Sequence, residues 1–574
     1  MKGTASRALF RLCARTFGPL LVMVGLALLL SARAACAQAT HGLISGTVTD
    51  PQGGAIPGAI VTVKNQLTTV SETTQTNNSG NFVFPALLPG TYTVSVEKTG
   101  FEKLEQTDIT IFPADRRDLG SLQVRLGSTK SMIAVTGTAN PVETTSSDQS
   151  AVITTSQMAA LPSIGRDYMA LARVLPGSSQ LGEGSASLGL TTATPVFEGV
   201  SNPMGVNVST NGVISSISNY SFDQIGTVMD NIADVKVLTA NYEAQYGKVM
   251  GAVINVTTKS GTTNFHGGAY YYLRNEDLNA NDFFSNRLSE PRARYRYNTV
   301  GATLGGPIYG PGPFERLRNK LFFFFSYDNE PNSAPAGPRE YLMPTATERT
   351  GDFSQSYIPG STTQLYTVLN PATGQQFPGN IVPPTLLNPL MAKVLTTLPL
   401  PNFTDSAVSE NNYNYVINDS NSMPLNDESI RVDYAPGDKW RIFGRFARIS
   451  NDIIGRTGGY SIFAGWMNGS QSNISLNDRY ELNVTTTINP HMVNQIAIGH
   501  NSQPGTSGLP QSTLSEFQMT ALGINFPQPY PGNNPLNLLP AMNFNTPNAP
   551  SWGYNGNVPN VGYVYNLDPA HSGV

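Results

Sequence analysis

Few side chains in this sequence are placed to do covalent or metal chemistry. Five histidines, His41, His266, His491, His500 and His571, are scattered along the 574 residues. None opens the His-Glu-x-x-His spacing that sets two imidazoles and a general base on one helical face for zinc-assisted hydrolysis. Single histidines on strands and loops read as surface or lumen residues. Asp277, Asn279 and Asn281 put oxygens at alternate positions as a calcium loop does. However, Asp282 stands where glycine must make the turn and Leu288 where a bidentate Glu closes the cage, so a polar loop followed by Phe283-Phe284 is the reading. No Gly-x-x-x-x-Gly-Lys-Ser/Thr loop cradles a phosphate. The expectation is a protein with no catalytic residues, no metal and no cofactor.

The amino end reads as an export signal rather than a site. Lys2, Arg7, Arg11 and Arg15 precede the apolar run from Leu20 to Leu30 and then Ala35-Cys36-Ala37, which predicts a cleavable signal over 1–37. Arg33, three residues before Cys36, argues against a lipid-modified cysteine there. Both cysteines, Cys13 and Cys36, lie in this segment, so the processed chain has neither disulfide nor thiolate ligand. It keeps 30 basic against 39 acidic residues, a net charge of −9, which excludes the basic excess of a nucleic-acid binder. Charged residues are 13% of the chain, about half the usual ~25%, while 54 glycines and 41 prolines suit many strands joined by turns. No later stretch holds 18 successive apolar residues, so any membrane crossing must be made by strands.

The elements bear this out as a mainly β expectation. From 41 to 126 hydrophobicity alternates with period two, as in Tyr92, Val94 and Val96 against Thr91, Thr93, Ser95 and Glu97. Turn signals at Asp50-Pro51-Gln52-Gly53-Gly54, Asn77-Asn78-Ser79-Gly80 and Leu88-Pro89-Gly90 fall at the spacing of a β-sandwich. Ser45-Gly46-Thr47-Val48-Thr49-Asp50 with Pro57-Gly58-Ala59 and Leu88-Pro89-Gly90-Thr91-Tyr92 resembles the carboxypeptidase regulatory-like domain. That resemblance implies a prealbumin-like sandwich without catalytic chemistry.

Over 127–265 the texture changes to short helices and strands with Gly-rich links such as 182–187, and an α+β domain is expected. Leu161-Pro162-Ser163-Ile164-Gly165-Arg166-Asp167-Tyr168, Phe197-Glu198-Gly199-Val200 and the run from Ile232 to Gly247 resemble the plug of a TonB-dependent receptor. Met250 to Thr262, followed by Phe265-His266-Gly267, is similar to the join from plug to barrel in the Oar-like branch of that family. Val235, Val237, Val253 and Ile254 supply core strands, and Tyr246-Gly247 with Met250-Gly251-Ala252 are expected at close backbone approaches. Without the resemblance, the same residues read as an ordinary globular α+β domain.

The family carries a short extended segment near the start of the plug that pairs by strand addition with a TonB-type coupling protein in the periplasm. The resemblance assigns that role here to Met132, Ile133, Ala134, Val135 and Thr136. Strand addition needs only free backbone groups and permissive side chains. Ala134 departs from the larger aliphatic or Thr usual in the family, and a plain linker strand is the other reading.

From 266 to 574 seven strand-like runs follow: Ala269–Leu273, Tyr297–Leu304, Leu321–Tyr327, Glu428–Tyr434, Trp440–Phe446, Tyr480–Ile488 and Val493–Ile498. Each offers one apolar face, and the polar partners, such as Ser429, Arg431 and Asp433, are expected to face a wet lumen. The Phe322–Phe325 run is not a clean alternation and suggests an interfacial aromatic girdle. The family's barrel has 22 strands and ends in an aromatic, whereas this chain stops at Val574, so it is expected to be a C-terminally truncated fragment. The resemblance implies an outer-membrane active transporter, not an enzyme. Its partners would be a periplasmic coupling protein, outer-membrane lipid and an unidentified large or scarce substrate (carbohydrate, siderophore, or peptide or protein), with no nucleic acid. The rival from another class is a secreted β-rich adhesin or glycan-binding protein. A carboxypeptidase-type enzyme comes third, weakened by the missing metal motif.

Overall fold

The computed structural model describes residues 41–127, 132–136, 147–161, 166, 168–179, 196–197, 206–214, 227–455 except 244, 248, 282, 288, 290, 291 and 293, 471–508 except 491, 503 and 504, 518–543 except 529, 530, 535, 540 and 541, and the pairs 553–554 and 560–561. The export signal with both cysteines, the 182–187 link, most of 162–167, residues 198–200, His491, His571 and the chain end lie outside the described residues.

Seven strands make the amino-terminal sandwich: β1 (Gly42–Thr49), β2 (Ile60–Asn65), β3 (Ser71–Gln75), β4 (Asn81–Leu87), β5 (Gly90–Glu97), β6 (Lys103–Ile111) and β7 (Arg116–Gln123). They form a sheet β4-β1-β7 and a sheet β3-β2-β5-β6, the latter extended by β8 (Met132–Thr136). The alternation works as read: Tyr92, Val94 and Val96 are buried with Ile44, Val61, Val63, Phe82, Phe84 and Ile109. Each such side chain contributes roughly 1.5–3 kcal/mol. The turn residues act through their side chains. Asp50 Oδ1 accepts the backbone N–H of Gln52 (2.9 Å) and Gly54 (2.7 Å), and Asn77 Oδ1 accepts those of Ser79 (3.0 Å) and Asn81 (2.9 Å).

The central domain contains β9 (Gln149–Thr154), β10 (Ser178–Ser179), β11 (Val196–Phe197), β12 (Val206–Thr210), β13 (Val213–Ile214), β14 (Ile232–Ala240) and β15 (Ala252–Thr258). Five of them form a mixed sheet in the order β13-β12-β15-β14-β9, in which β12 and β15 run parallel. Helix Thr155–Ala160 begins with a capping box between Thr154 and Gln157 and places Met158 in the core with Tyr168, Met169, Val208, Val235 and Ile254. Strand β14 is buried on both faces from Val235 to Leu238, which explains why it does not alternate.

The third region is one large antiparallel sheet with β16 (His266–Asn275), β17 (Arg296–Pro307), β18 (Leu321–Leu342), β19 (Tyr415–Gly437), β20 (Trp440–Gly455), β21 (Gln471–Asn489) and β22 (Met492–Ser502) neighbouring one another in chain order. All seven runs singled out in the sequence lie in these strands. Connections 308–320 and 438–439 sit at one end, and 343–414 at the other. Strands β18 and β19, at 22 and 23 residues, run far past the ~10 residues a tilted membrane strand needs. The 343–414 connection between them shares a separate core with the 518–543 segment, Val394 meeting Met519, Ile524 and Leu539.

The phenylalanine run corrects an expectation. Phe322 and Phe324 are buried on the inner face and Phe325 is exposed on the outer one, so the four residues alternate after all, with Phe323 and Phe325 as the outward pair. Two faces of the sheet are both apolar here, one toward the neighbouring domains and one outward.

Candidate functional site

The inner face of the large sheet holds a row of side chains set by strand register. Arg431 of β19 pairs with Arg445 of β20, Arg445 with Glu481 of β21, and Glu481 with Gly499 of β22. Because side chains alternate with period two, the four positions share one face. Arg445 Nη1 donates to Glu481 Oε1 at 3.2 Å, and Arg479, two residues before Glu481 on the same face, makes a second ion pair to that oxygen. All three side chains are 1% exposed.

The central domain supplies the remaining partners. Its β12–β13 turn carries Asn211 at φ 51°, a left-handed conformation that Asn tolerates better than most residues. From there Asn211 Nδ2 donates to Glu481 Oε2 (2.8 Å) and Thr258 Oγ1 (3.0 Å), while its Oδ1 accepts the Thr258 N–H (3.1 Å). Arg479 Nη2 donates to the carbonyls of Val213 (2.8 Å) and Thr210 (3.2 Å). Arg431 Nη1 donates to Thr258 O (3.0 Å), and its other nitrogens clasp both oxygens of Asp433. At Gly499 a Cβ would lie 2.1 Å from Val213 Cγ1. The expected wet lumen is therefore corrected along this row: the charged face of β19–β21 is covered by the central domain, with Arg431 and Arg479 donating to that domain's carbonyls and Arg445 to Ser429 and Glu481 within the sheet.

A second contact zone joins the sandwich to both other regions. Arg441 of β20 pairs with Glu72 of β3 at 3.0 Å, Lys236 of β14 with Asp115 at 2.7 Å, and Arg116 of β7 with Glu243 at 2.5 Å. The Leu67 carbonyl accepts both the N–H and the hydroxyl of Thr263. A cavity of about 520 Å³ lies among the three regions, lined by Val70, Tyr92, Phe443 and the polar groups His41, Glu72 and Asp234. Burial pushes the Glu72 and Asp234 carboxyls up to about 7, against the pull of Arg441 and Lys236 respectively. Burial likewise pushes His41 down to about 4. A neutral imidazole there shares a hydrogen bond with Thr485 Oγ1 at 3.0 Å.

The residues read as a coupling segment lie far from the charged row. Met132–Thr136 forms β8 and pairs in parallel with Lys103–Thr107 of β6, Met132 opposite Lys103 and Thr136 opposite Thr107. The glycine expectation needs correction at Gly247, where a Cβ would meet nothing within 4 Å. The close approach is at Gly261, where a Cβ would lie 2.3 Å from Phe323 O and 2.7 Å from Gly306 O as the chain enters the large sheet. At the 277–281 loop Arg292 Nη1 donates to the carbonyls of Glu276 and Asn279 at 2.8 Å each. No group of three or more metal-ligating side chains occurs among the described residues. Sequence reasoning missed Glu481, Arg445 and Arg479. Their signal was charge at inward positions of otherwise apolar strands.

Comparison with known proteins follows the same division. Residues 257–567 match the outer membrane β-barrel domain model and residues 43–125 the carboxypeptidase regulatory-like domain model. The TonB-dependent transporter Oar of Myxococcus xanthus is 27% identical over 312 residues, which are 52% of this chain and 27% of that protein, so the chain spans about a quarter of its relative's length. Among solved structures, the siderophore receptor PirA from Acinetobacter baumannii aligns at 13% identity over 62% of this chain and 40% of its own, with a TM-score of 0.37. The outer membrane transporter YddB from Escherichia coli aligns at 9% identity over 62% and 39%, also at 0.37. With more than half of its length matched by one model, the chain belongs to the outer membrane β-barrel domain family, and it also carries an amino-terminal carboxypeptidase regulatory-like domain.

Proposed function

We propose that the chain is the amino-terminal part of an outer-membrane active transporter that takes up a large or scarce substrate with proton-gradient energy delivered by a periplasmic TonB-type coupling protein. In this reading residues 1–37 direct export, 41–126 form a periplasmic sandwich, 127–265 the plug, and 266–574 the first strands of a 22-stranded barrel. Short turns then face the periplasm and long loops the exterior. Residues Met132–Thr136 are the segment the coupling protein grips.

The observation that carries the reading is the row Arg431-Arg445-Glu481, which bonds the central domain to the inner face of a sheet whose outer face is apolar at Ile430, Leu482, Ile496 and Ile498. A domain held inside by buried hydrogen bonds, each worth ~0.5–1.5 kcal/mol net and more when charged, stays put until pulled. The decisive experiment expresses the intact gene product in cells with and without the coupling protein, fractionates membranes, and captures the purified protein on the coupling protein's periplasmic domain. The reading expects outer-membrane fractionation, detergent dependence and capture that is lost when residues 132–136 are deleted. A product soluble without detergent would point instead to the adhesin.

A further inference from the structure

We propose that the sandwich presents Met132–Thr136 as a ready-made edge strand, and that the coupling protein docks by adding its own strand to the outer edge of β8, extending the five-stranded sheet. The inference rests on the reading of this segment as the coupling segment and adds a role for the sandwich in that contact.

The argument comes from the four sheet edges of the sandwich, since an edge strand exposes unpaired N–H and C=O groups that proteins ordinarily cover or guard with charge or proline. Three edges here are guarded. Strand β3 carries Glu72 in its ion pair with Arg441, β4 contains Pro85 and lies against β21 and β22, and β7 carries Arg116 in its ion pair with Glu243. The fourth edge is β8, with the uncharged, proline-free sequence Met-Ile-Ala-Val-Thr. It pairs with β6 on one side through five consecutive register positions, and among the described residues no strand pairs with its other side. A segment already held extended against β6 has had its backbone freedom removed before the partner arrives, so strand addition proceeds without that ordering cost.

The register supplies the test. Glu105 and Ala134 are directly opposed, and the chain has no cysteine outside positions 13 and 36. The Glu105→Cys, Ala134→Cys double variant of the intact protein should form a disulfide, whereas Glu105→Cys with Thr136→Cys, two positions out of register, should not. Capture on the coupling protein's periplasmic domain is then measured with the bond closed and after reduction. Presentation expects the closed form to be captured at least as well as the reduced one, Val135→Lys to weaken capture, and removal of residues 41–126 to weaken it about tenfold without abolishing it. A closed form that is no longer captured, or a double variant that never cross-links, overturns the inference. Wild-type capture that survives deletion of residues 132–136 overturns the underlying reading of the segment instead.

Discussion

The central domain is held on two sides by contacts built from opposite materials. Toward the large sheet it meets a dry row of two arginines around one glutamate, all 1% exposed, closed by an asparagine and backbone carbonyls. Toward the sandwich it meets the discrete pairs Lys236–Asp115 and Arg116–Glu243 beside a cavity of about 520 Å³ that the large sheet shares, lined by Asp234 and by Glu72 and His41, which bond to Arg441 and Thr485 of that sheet. The first contact turns on Glu481, because taking away that one charge leaves Arg445 and Arg479 buried without their shared partner. The second can be graded, since its carboxyls gain or lose protons near neutrality.

The largest test of this contrast is Glu481→Ala, which strands Arg445 and Arg479. We expect it to loosen the central domain by about 3–5 kcal/mol, read as protease cleavage within 206–258 in otherwise intact protein. Protection equal to wild type would show that the row is not what fastens the domain. Gly261→Ala comes next: its Cβ meets the backbone of Phe323 and Gly306, and about 1–3 kcal/mol is expected by the same assay. Gly247→Ala, in open space, should stay within about 0.5 kcal/mol and serves as its control. Asn211→Ala removes the hydrogen bonds to Glu481 and Thr258 and is expected to cost about 1–3 kcal/mol.

The smallest effect tests the adjustable side. Glu72 titrates near 7 when docked against 4.5 ordinarily, so between those values docking takes up a proton, and the contact weakens as pH rises through that window. His41, near 4 against 6.5, works the other way and weakens docking as pH falls below 6.5. Glu72→Gln should abolish only the first dependence, a difference of about 2 kcal/mol at most between pH 5 and pH 8, followed by hydrogen exchange of the β3 amides. An unchanged pH profile in the variant would place the titration elsewhere.

What the sequence revealed and concealed follows from the range of the interactions. Period-two runs and Asx turns are local, so the Tyr92-Val94-Val96 face and the strands around Ile430 and Leu482 were readable one at a time. The row at Glu481 was not, because it depends on register across β19, β20 and β21 and on a contact with Asn211, 270 residues away. Nothing in the neighbourhood of Arg479 distinguishes an arginine facing water from one facing a carbonyl of another domain. The run through Gly261 was recognised as a unit, but which of its glycines is sterically required became visible only once Phe323 was placed against it.

The hairpin of β18 and β19 has one more implication. At about 3.3 Å per residue, a 22-residue strand measures roughly 70 Å, more than twice the ~30 Å hydrocarbon thickness. Even tilted by ~35–45° as barrel strands are, it would rise roughly 50 Å, past the hydrocarbon layer, and the connection that starts from its end brings Val394 to Met519, Ile524 and Leu539. Under the proposed transport reading, a substrate would meet a preshaped crown there rather than loose chain.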